Sequence, residues 1–130
     1  YDKNNKIELK TSLDDALASA ANYINSIGWK KGEPCFLRVK SNKKIHDKYI
    51  NLSARKISNK LRIKKWKKKG LVNFDGSEIT LNYNAALIMP DGKNDTPLYL
   101  VFDNYEKILK WNRSLRFGIS VCKLATMIKL

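Results

Sequence analysis

Hydrophobic positions along the chain change period from one stretch to the next. Leu13, Ala16, Leu17, Ala20, Ala21, Ile24 and Ile27 recur at the three- and four-residue steps of one helix face. Ser12 with Asp15 three residues on reads as a capping pair and Gly28 as a stop, so the spacing predicts a helix from Leu13 to Ile27. Trp29 to Pro34 reads as a turn from its Gly and Pro content. Cys35 to Val39 reads as a short strand, and residues 41–52 are polar without a clear period. Ile57, Leu61 and Trp66 lie among lysines and predict a second helix ending at Gly70. Leu71 to Phe74 reads as extended, with Asp75-Gly76 as a turn. Ala85 to Met89 and Leu98 to Phe102 are strand-like. The loop between them, Pro90-Asp91-Gly92 and Asn94 to Pro97, predicts an antiparallel hairpin. Asp103 to Lys110 reads as a short helix. From Ser114 on, Phe117, Val121, Leu124 and Ile128 form one face of a final helix.

Helices at both ends with strands between them predict an α+β fold, a small sheet inserted into a helical body. The helical portion is expected at 1–30 and 103–130, and the inserted mixed α/β subdomain at 31–102. A length of 130 residues and a hydrophobic share of 43% suit one folded domain with a core. No apolar run reaches the roughly 18 residues of a membrane helix.

The net charge of +14 suits anionic partners in general. Only five of the 26 basic residues are arginine, however, and arginine is the better reader of phosphates and bases. The excess of Lys, Asn and Ile is read as compositional drift. Lys64-Lys65-Trp66-Lys67-Lys68-Lys69 has the look of a nucleic-acid patch. On a helix, Trp66 turns inward and the lysines stay solvated, so no nucleic-acid partner is expected. Cys35 and Cys122 have no local partner at ligand spacing, and the favoured reading is two unpaired small apolar residues.

Candidate chemistry is sparse. His46 sits in a lysine-rich loop with no evident nucleophile. Asp14 and Asp15 fall in a first helical turn, where they complement the macrodipole. Glu33, Glu78 and Glu106 have polar flanks, whereas a general acid needs burial to raise its pKa. No acid of this chain is therefore expected to be the catalyst. Asp2, Asn4, Glu8 and Asp15 hint at a calcium loop, but Lys6 occupies a ligand position and the loop glycine is missing. Neither a metal nor a cofactor is expected. Tyr23, Trp111, Asn112, Ser114 and Phe117 remain. Aromatic faces, amides and hydroxyls hold sugars, and the same residues equally suit ordinary packing with Asn112 or Ser114 as a helix cap.

Two segments resemble the lytic murein transglycosylase B family. DDALASAANYINSIGWKKGEP, Asp14 to Pro34, is similar to the family's D-A-x-x-S-x-A-N-Y helix followed by G-W-x-x-G-E-P. PLYLVFDNYEKILKWNRSLRFGISVCKLA, Pro97 to Ala125, resembles its FLVYDNF…ILKWNRSNYYALAVGLLA ending. IKKWKKKGL, Ile63 to Leu71, matches the weaker L-x-E-W-x-x-x-G-V pattern between them. The resemblance implies part of a lysozyme-like α+β fold. It also implies a periplasmic enzyme that cleaves the MurNAc-β-1,4-GlcNAc bond of peptidoglycan to 1,6-anhydro-MurNAc. The family's catalytic glutamate falls upstream of these motifs, so this segment is expected to supply glycan-groove residues. By position these are Tyr23, Trp111, Asn112, Ser114 and Phe117, the last replacing a frequent tyrosine. Peptidoglycan strands are the implied partner, the segment is expected to be monomeric, and any membrane attachment runs through a lipid anchor outside it. The rival readings are a non-catalytic peptidoglycan-binding module and a basic nucleic-acid-binding domain.

Overall fold

The computed structural model describes residues 18–19, 21–92 and 96–127. The capping pair Ser12/Asp15, helix positions Leu13, Ala16, Leu17 and Ala20, the acids Asp2, Glu8 and Asp14, and Asn4, Asn94 and Ile128 lie outside them. The first helix, α1, is described at 18–19 and 21–26. It ends as expected at Gly28, whose φ of +96° is a backbone conformation that a side chain resists.

The strands are β1 (Phe36–Ser41), β2 (Ile50–Asn51), β3 (Leu61–Arg62), β4 (Leu71–Asn73), β5 (Asn84–Ile88) and β6 (Leu98–Val101). The helices after α1 are α2 (Ile63–Lys68), α3 (Asp103–Trp111) and α4 (Leu115–Met127), with a 3₁₀ turn at Asp47–Tyr49. The sheet order is β2-β5-β6-β1-β4, and β3 pairs with β5. The expected hairpin forms: β5 and β6 are antiparallel, with Leu87 opposite Leu100. Among the described strands only the β2–β5 pair is parallel. The expected α+β class holds.

The sheet is covered on both faces, and its alternating side chains sort into two cores. Ala86, Ile88, Tyr99 and Val101 face a helical layer with Ile24 of α1, Tyr105 and Ile108 of α3, and Ile119 and Cys122 of α4. Ala85, Leu87, Leu100 and Phe102 face a second layer with Ile63 and Trp66 of α2, Leu71 and Ile79. Burial on both sides explains why β5 reads as an unbroken apolar run.

Three expectations are corrected. The second helix starts at Ile63, not near Ile57, because Leu61 and Arg62 pair with Ala85 and Asn84 as a strand. The buried face of α4 is Leu115, Gly118, Ile119, Cys122 and Ala125 together with Val121, while Phe117 and Leu124 are only half-buried. Glycine stands at position 118 because α4 lies close on α3: a Cβ there would meet Tyr105 Cε1 at 2.5 Å. The Tyr105 hydroxyl donates to Leu115 O at 2.9 Å, and burial pushes its pKa up. Finally, Cys35 and Cys122 are bonded, with Cα atoms 5.7 Å apart and 87 residues between them in sequence. No local spacing signals such a pair, since only the packing of α4 beside the start of β1 brings it together.

Candidate functional site

The end of α1 runs antiparallel to α3. Tyr23 reaches Trp111 at the last position of α3, a Cβ on Gly28 would lie 3.6 Å from the Lys107 side chain, and Lys30 meets the first turn of α3. The register is held by Asn104, which is 1% exposed. Its Oδ1 accepts from Lys30 N–H at 2.7 Å, and its Nδ2 donates to Lys30 O at 2.9 Å and to Glu33 O at 3.1 Å. A buried amide satisfied this fully fixes geometry, since leaving any of those groups unpaired is costly. The Trp29–Pro34 turn is therefore clamped to α3, and α1 with it.

This clamp brings three of the five expected site residues into one aromatic cluster. The Tyr23 and Trp111 rings lie 4.4 Å apart at 44°, and the Phe117 ring meets Trp111 edge-on at 5.1 Å and 84°. Tyr23 and Trp111 remain 41% and 42% exposed. Phe117 is half-buried against the helical core. The cluster is thus a rigid aromatic ledge open to solvent, with Trp111 held between two rings. A preordered ring loses little entropy when a ligand stacks on it.

Asn112 ends α3 in an extended conformation, φ −146°, with its N–H donating to Ile108 O at 3.2 Å. Its side chain is exposed beside the ledge. Ser114 starts α4: its Oγ accepts from Phe117 N–H at 3.2 Å and its carbonyl from Gly118 N–H at 3.0 Å. Ser114 is therefore a helix cap, and its hydroxyl keeps a further hydrogen-bonding position.

Three described acids, Asp103 at the clamp and Asp75 and Glu78 in the segment after β4, have their pKa lowered. A hydrogen bond from Lys30 keeps the Asp103 carboxyl below its usual range, as Lys67 does for Glu78 and Ser77 for Asp75. None of these three suits a general acid. His46 caps the 3₁₀ turn, accepting at Nδ1 from Lys48 N–H at 3.1 Å. Among the described residues no three His, Cys, Asp or Glu side chains come close enough to hold a metal ion. No helix there is long and apolar enough to cross a membrane. Sequence reasoning missed Asn104. Its only signal is an asparagine directly after the acidic start of a helix, which equally suits an exposed position.

A family model described as a transglycosylase SLT domain matches residues 1–126. No curated protein sequence matches the chain. Among solved structures, SltB3 from Pseudomonas aeruginosa in complex with NAG-NAM-pentapeptide is similar, with a TM-score of 0.69 and 29% identity over 85% of this chain. Slt35 of Escherichia coli in complex with calcium gives a TM-score of 0.59 at 20% identity over 86% of this chain. SltB1 from Pseudomonas aeruginosa gives 0.58 at 16% over 80%. The chain spans 29% of the SltB3 chain, 33% of Slt35 and 32% of SltB1. The match over residues 1–126 agrees with the motifs at Asp14–Pro34 and Pro97–Ala125: the chain belongs to the transglycosylase SLT domain family and is a lytic murein transglycosylase B-like sequence.

Proposed function

We propose that this chain is the C-terminal, glycan-binding part of a peptidoglycan lytic transglycosylase. The observation that carries the reading is the solvent-open ledge of Tyr23, Trp111 and Phe117 in a chain of this family. Exposed aromatics normally cost solubility, and a rigid, paired set beside an amide is what a sugar ring uses. Trp111 and Tyr23 offer faces to the apolar C–H side of a pyranose, and Asn112 and Ser114 offer hydrogen bonds to its substituents. Phe117 fixes the tilt of Trp111. SltB3 is described with a NAG-NAM-pentapeptide, so peptide-bearing disaccharides are the ligand class we assign.

The family resemblance implies the reaction of the whole enzyme. An upstream glutamic acid protonates the glycosidic oxygen as the MurNAc C1–O bond breaks. The same group, now a carboxylate, takes the proton of the muramyl C6 hydroxyl while that oxygen bonds to C1. The proton balance closes without water, and the product carries a 1,6-anhydro end. One acid suffices, unlike the paired carboxylates of most glycosidases. This segment positions the glycan so that C6–OH and C1 meet.

The helical portions at 1–30 and 103–130 and the inserted 31–102 segment are assigned as parts of one glycan-binding unit, monomeric in solution. The Cys35–Cys122 bond suits an oxidising, extracytoplasmic compartment, and we place the protein in the periplasm, with any lipid anchor outside this segment.

The test pairs Trp111→Ala with Asn112→Ala in the full-length protein and measures release of anhydro-muropeptides. A loss of kcat/KM of about tenfold or more is expected, the size of a lost stacking and hydrogen-bonding contact. Unchanged kinetics would remove the ledge from the glycan groove. Anhydro-muropeptide release by the 130 residues alone would overturn the upstream placement of the acid.

A further inference from the structure

The helical layer does not cover the far end of β1. Phe36, Arg38 and Lys40 alternate onto one face of that strand, and Arg38 stands opposite Tyr99 in the register. Phe36 packs against the helical core, whereas Arg38 and Lys40 are exposed. The chain leaves β4 beside Arg38, where Phe74 N–H donates to Arg38 O at 3.1 Å. The Arg38 guanidinium lies over the Phe74 ring, 3.7 Å from its centroid, and that side chain is still 51% exposed. Stacking holds the guanidinium flat. Among the described residues no acid pairs with it, and no hydrogen bond uses its donors.

A cavity of about 390 Å³ opens here, between the end of β1, the 41–50 segment and the start of β6. Its lining is of two kinds. Arg38, Lys40 and Lys44 are exposed cations at its mouth. Ile45, Ile50, Met89, Pro97 and Leu98 are buried or half-buried and form its floor. Asp47 is the one acid among the described lining residues. Lys40 Nζ lies beside the Asp75–Gly76 turn, 3.6 Å from where a Gly76 Cβ would stand, and forms no ion pair with a described acid. The segment carrying Lys44 is fixed on both sides. Asn42 N–H donates to Gly70 O at 2.9 Å, Lys43 N–H donates to Ser41 Oγ at 3.2 Å, and Ile45 is buried. The site thus has a rigid guanidinium, two further cations and an apolar floor.

We propose that this cavity docks the phosphate headgroup of an anionic lipid, a contact additional to any acyl anchor outside this segment. The Arg38 fork matches phosphate in two parallel hydrogen bonds, and Lys40 and Lys44 add point charges. The first carbons of the lipid lie on the apolar floor, and the exposed Phe74 ring stands at the rim where the chains begin. The surrounding field favours the approach: residues 36–80 hold 14 of the 26 basic residues and three of the 12 acidic ones. A soluble phosphate would leave the apolar floor unused. A nucleic acid would stack its bases on open ring faces, and Phe74 has already given one face to Arg38. A lipid is the occupant that uses both kinds of lining.

The test is vesicle co-flotation of the full-length protein, prepared free of any acyl anchor. One set of vesicles is phosphatidylcholine alone, and the other replaces about one third of it with phosphatidylglycerol. The wild type is expected to prefer the anionic vesicles about a hundredfold, and Arg38→Gln with Lys40→Gln to lower that binding about tenfold to thirtyfold. Phe74→Ala is expected to weaken it about fivefold. Lys64→Gln with Lys68→Gln removes the same charge from α2, on the other face of the sheet, and is expected to cost less than about threefold. All four cations are exposed, so neither pair of substitutions is expected to disturb the fold. Equal affinity for the two kinds of vesicle would overturn the site, and equal losses from the two double variants would reduce it to diffuse surface charge. Release from the vesicles by millimolar inorganic phosphate would overturn the lipid as occupant. So would an oligonucleotide that binds the wild type more tightly than the vesicles and depends on Arg38 and Lys40. The assay contains no glycan, so its outcome is independent of the glycan reading.

Discussion

Trp66 and Trp111 belong to opposite layers of one sheet. Trp66 is fully buried in the α2 layer, and its Nε1 donates to Ala85 O at 2.8 Å. Trp111, 42% exposed, lies against the rings of Tyr23 and Phe117. Their sequence surroundings mislead. Trp66 sits in the run of lysines that looks like a binding patch, and Trp111 at the end of an ordinary amphipathic helix. The lysines around Trp66 work as a skin. Lys69 and Lys48 lie over the Tyr49 ring at 4.0 and 5.1 Å, and Tyr49 in turn meets Trp66 edge-on. Here the ammonium groups themselves sit over the ring face, as cations do on an aromatic quadrupole. Residues 36–80 hold 14 of the 26 basic residues and three of the 12 acidic ones, so the charge excess belongs largely to this stretch. The helical layer instead leaves two rings, Tyr23 and Trp111, partly uncovered while burying Tyr99 and Tyr105. Lysine density thus marks where apolar surface is being covered, and uncovered rings mark where a ligand is expected.

The layers also differ in how they are held, and the largest predicted effect follows from that. Only the helical layer carries the Cys35–Cys122 bond, which closes a sequence separation of 87 residues. A loop of that length is worth about 4.5 kcal/mol of chain entropy. Cys35→Ala with Cys122→Ala is expected to lower stability by roughly that amount, read from the denaturant midpoint, and reduction of the wild type is expected to do the same. A change below about 1 kcal/mol would mean that α4 is held by packing alone.

Exchanging the two tryptophans for alanine separates the layers next. Trp66→Ala removes a fully buried ring and leaves Ala85 O without its donor, at an expected cost of about 3–5 kcal/mol. Trp111→Ala is expected to cost under about 1 kcal/mol of stability while weakening glycan binding about tenfold. Thermal melts and titration with a NAG-NAM ligand on both variants check the contrast. Equal destabilisation by the two substitutions would erase it.

Much of this arrangement was legible in the sequence because its signals are local. The α1 stop at Gly28, the β5–β6 hairpin and the extent of α3 all follow from period and punctuation within a dozen residues. Residue type alone sets Tyr23, Trp111 and Phe117 together as candidates for holding a sugar, and the family resemblance assigns them to one groove, but the chain between positions 23 and 111 says nothing of their meeting. The misses are contacts set by tertiary packing. The disulfide joins distant residues, and the face of α4 is chosen by the close approach of Tyr105 to Gly118 rather than by its largest apolar side chains. Asn104 and Asn51 are buried amides that hold segments remote in sequence, and their amino-acid type alone reads as exposed and polar.

The smallest effect concerns the ion pair beside Asn104. Lys30 and Asp103 meet at 2.7 Å, each side chain about half exposed. The hydrogen bond between them lowers the Asp103 pKa from 3.8 and raises that of Lys30 from 10.5. The lowered carboxyl contributes stability that is present above its ordinary range and lost as pH falls through the folded value, below 3.8. The raised ammonium contributes stability that is present below its ordinary range and lost as pH rises through the folded value, above 10.5. Between those limits the pair is constant, so no stability change through neutral pH arises from it. Because it is solvated, Asp103→Asn is expected to cost no more than about 0.5 kcal/mol at pH 7, and nothing once acid has protonated the wild-type carboxyl. Denaturant melts from pH 2 to pH 7 measure the difference. A loss above about 1.5 kcal/mol at neutral pH would show that charge, rather than the buried amide of Asn104, clamps α1 to α3 and holds Tyr23 against Trp111.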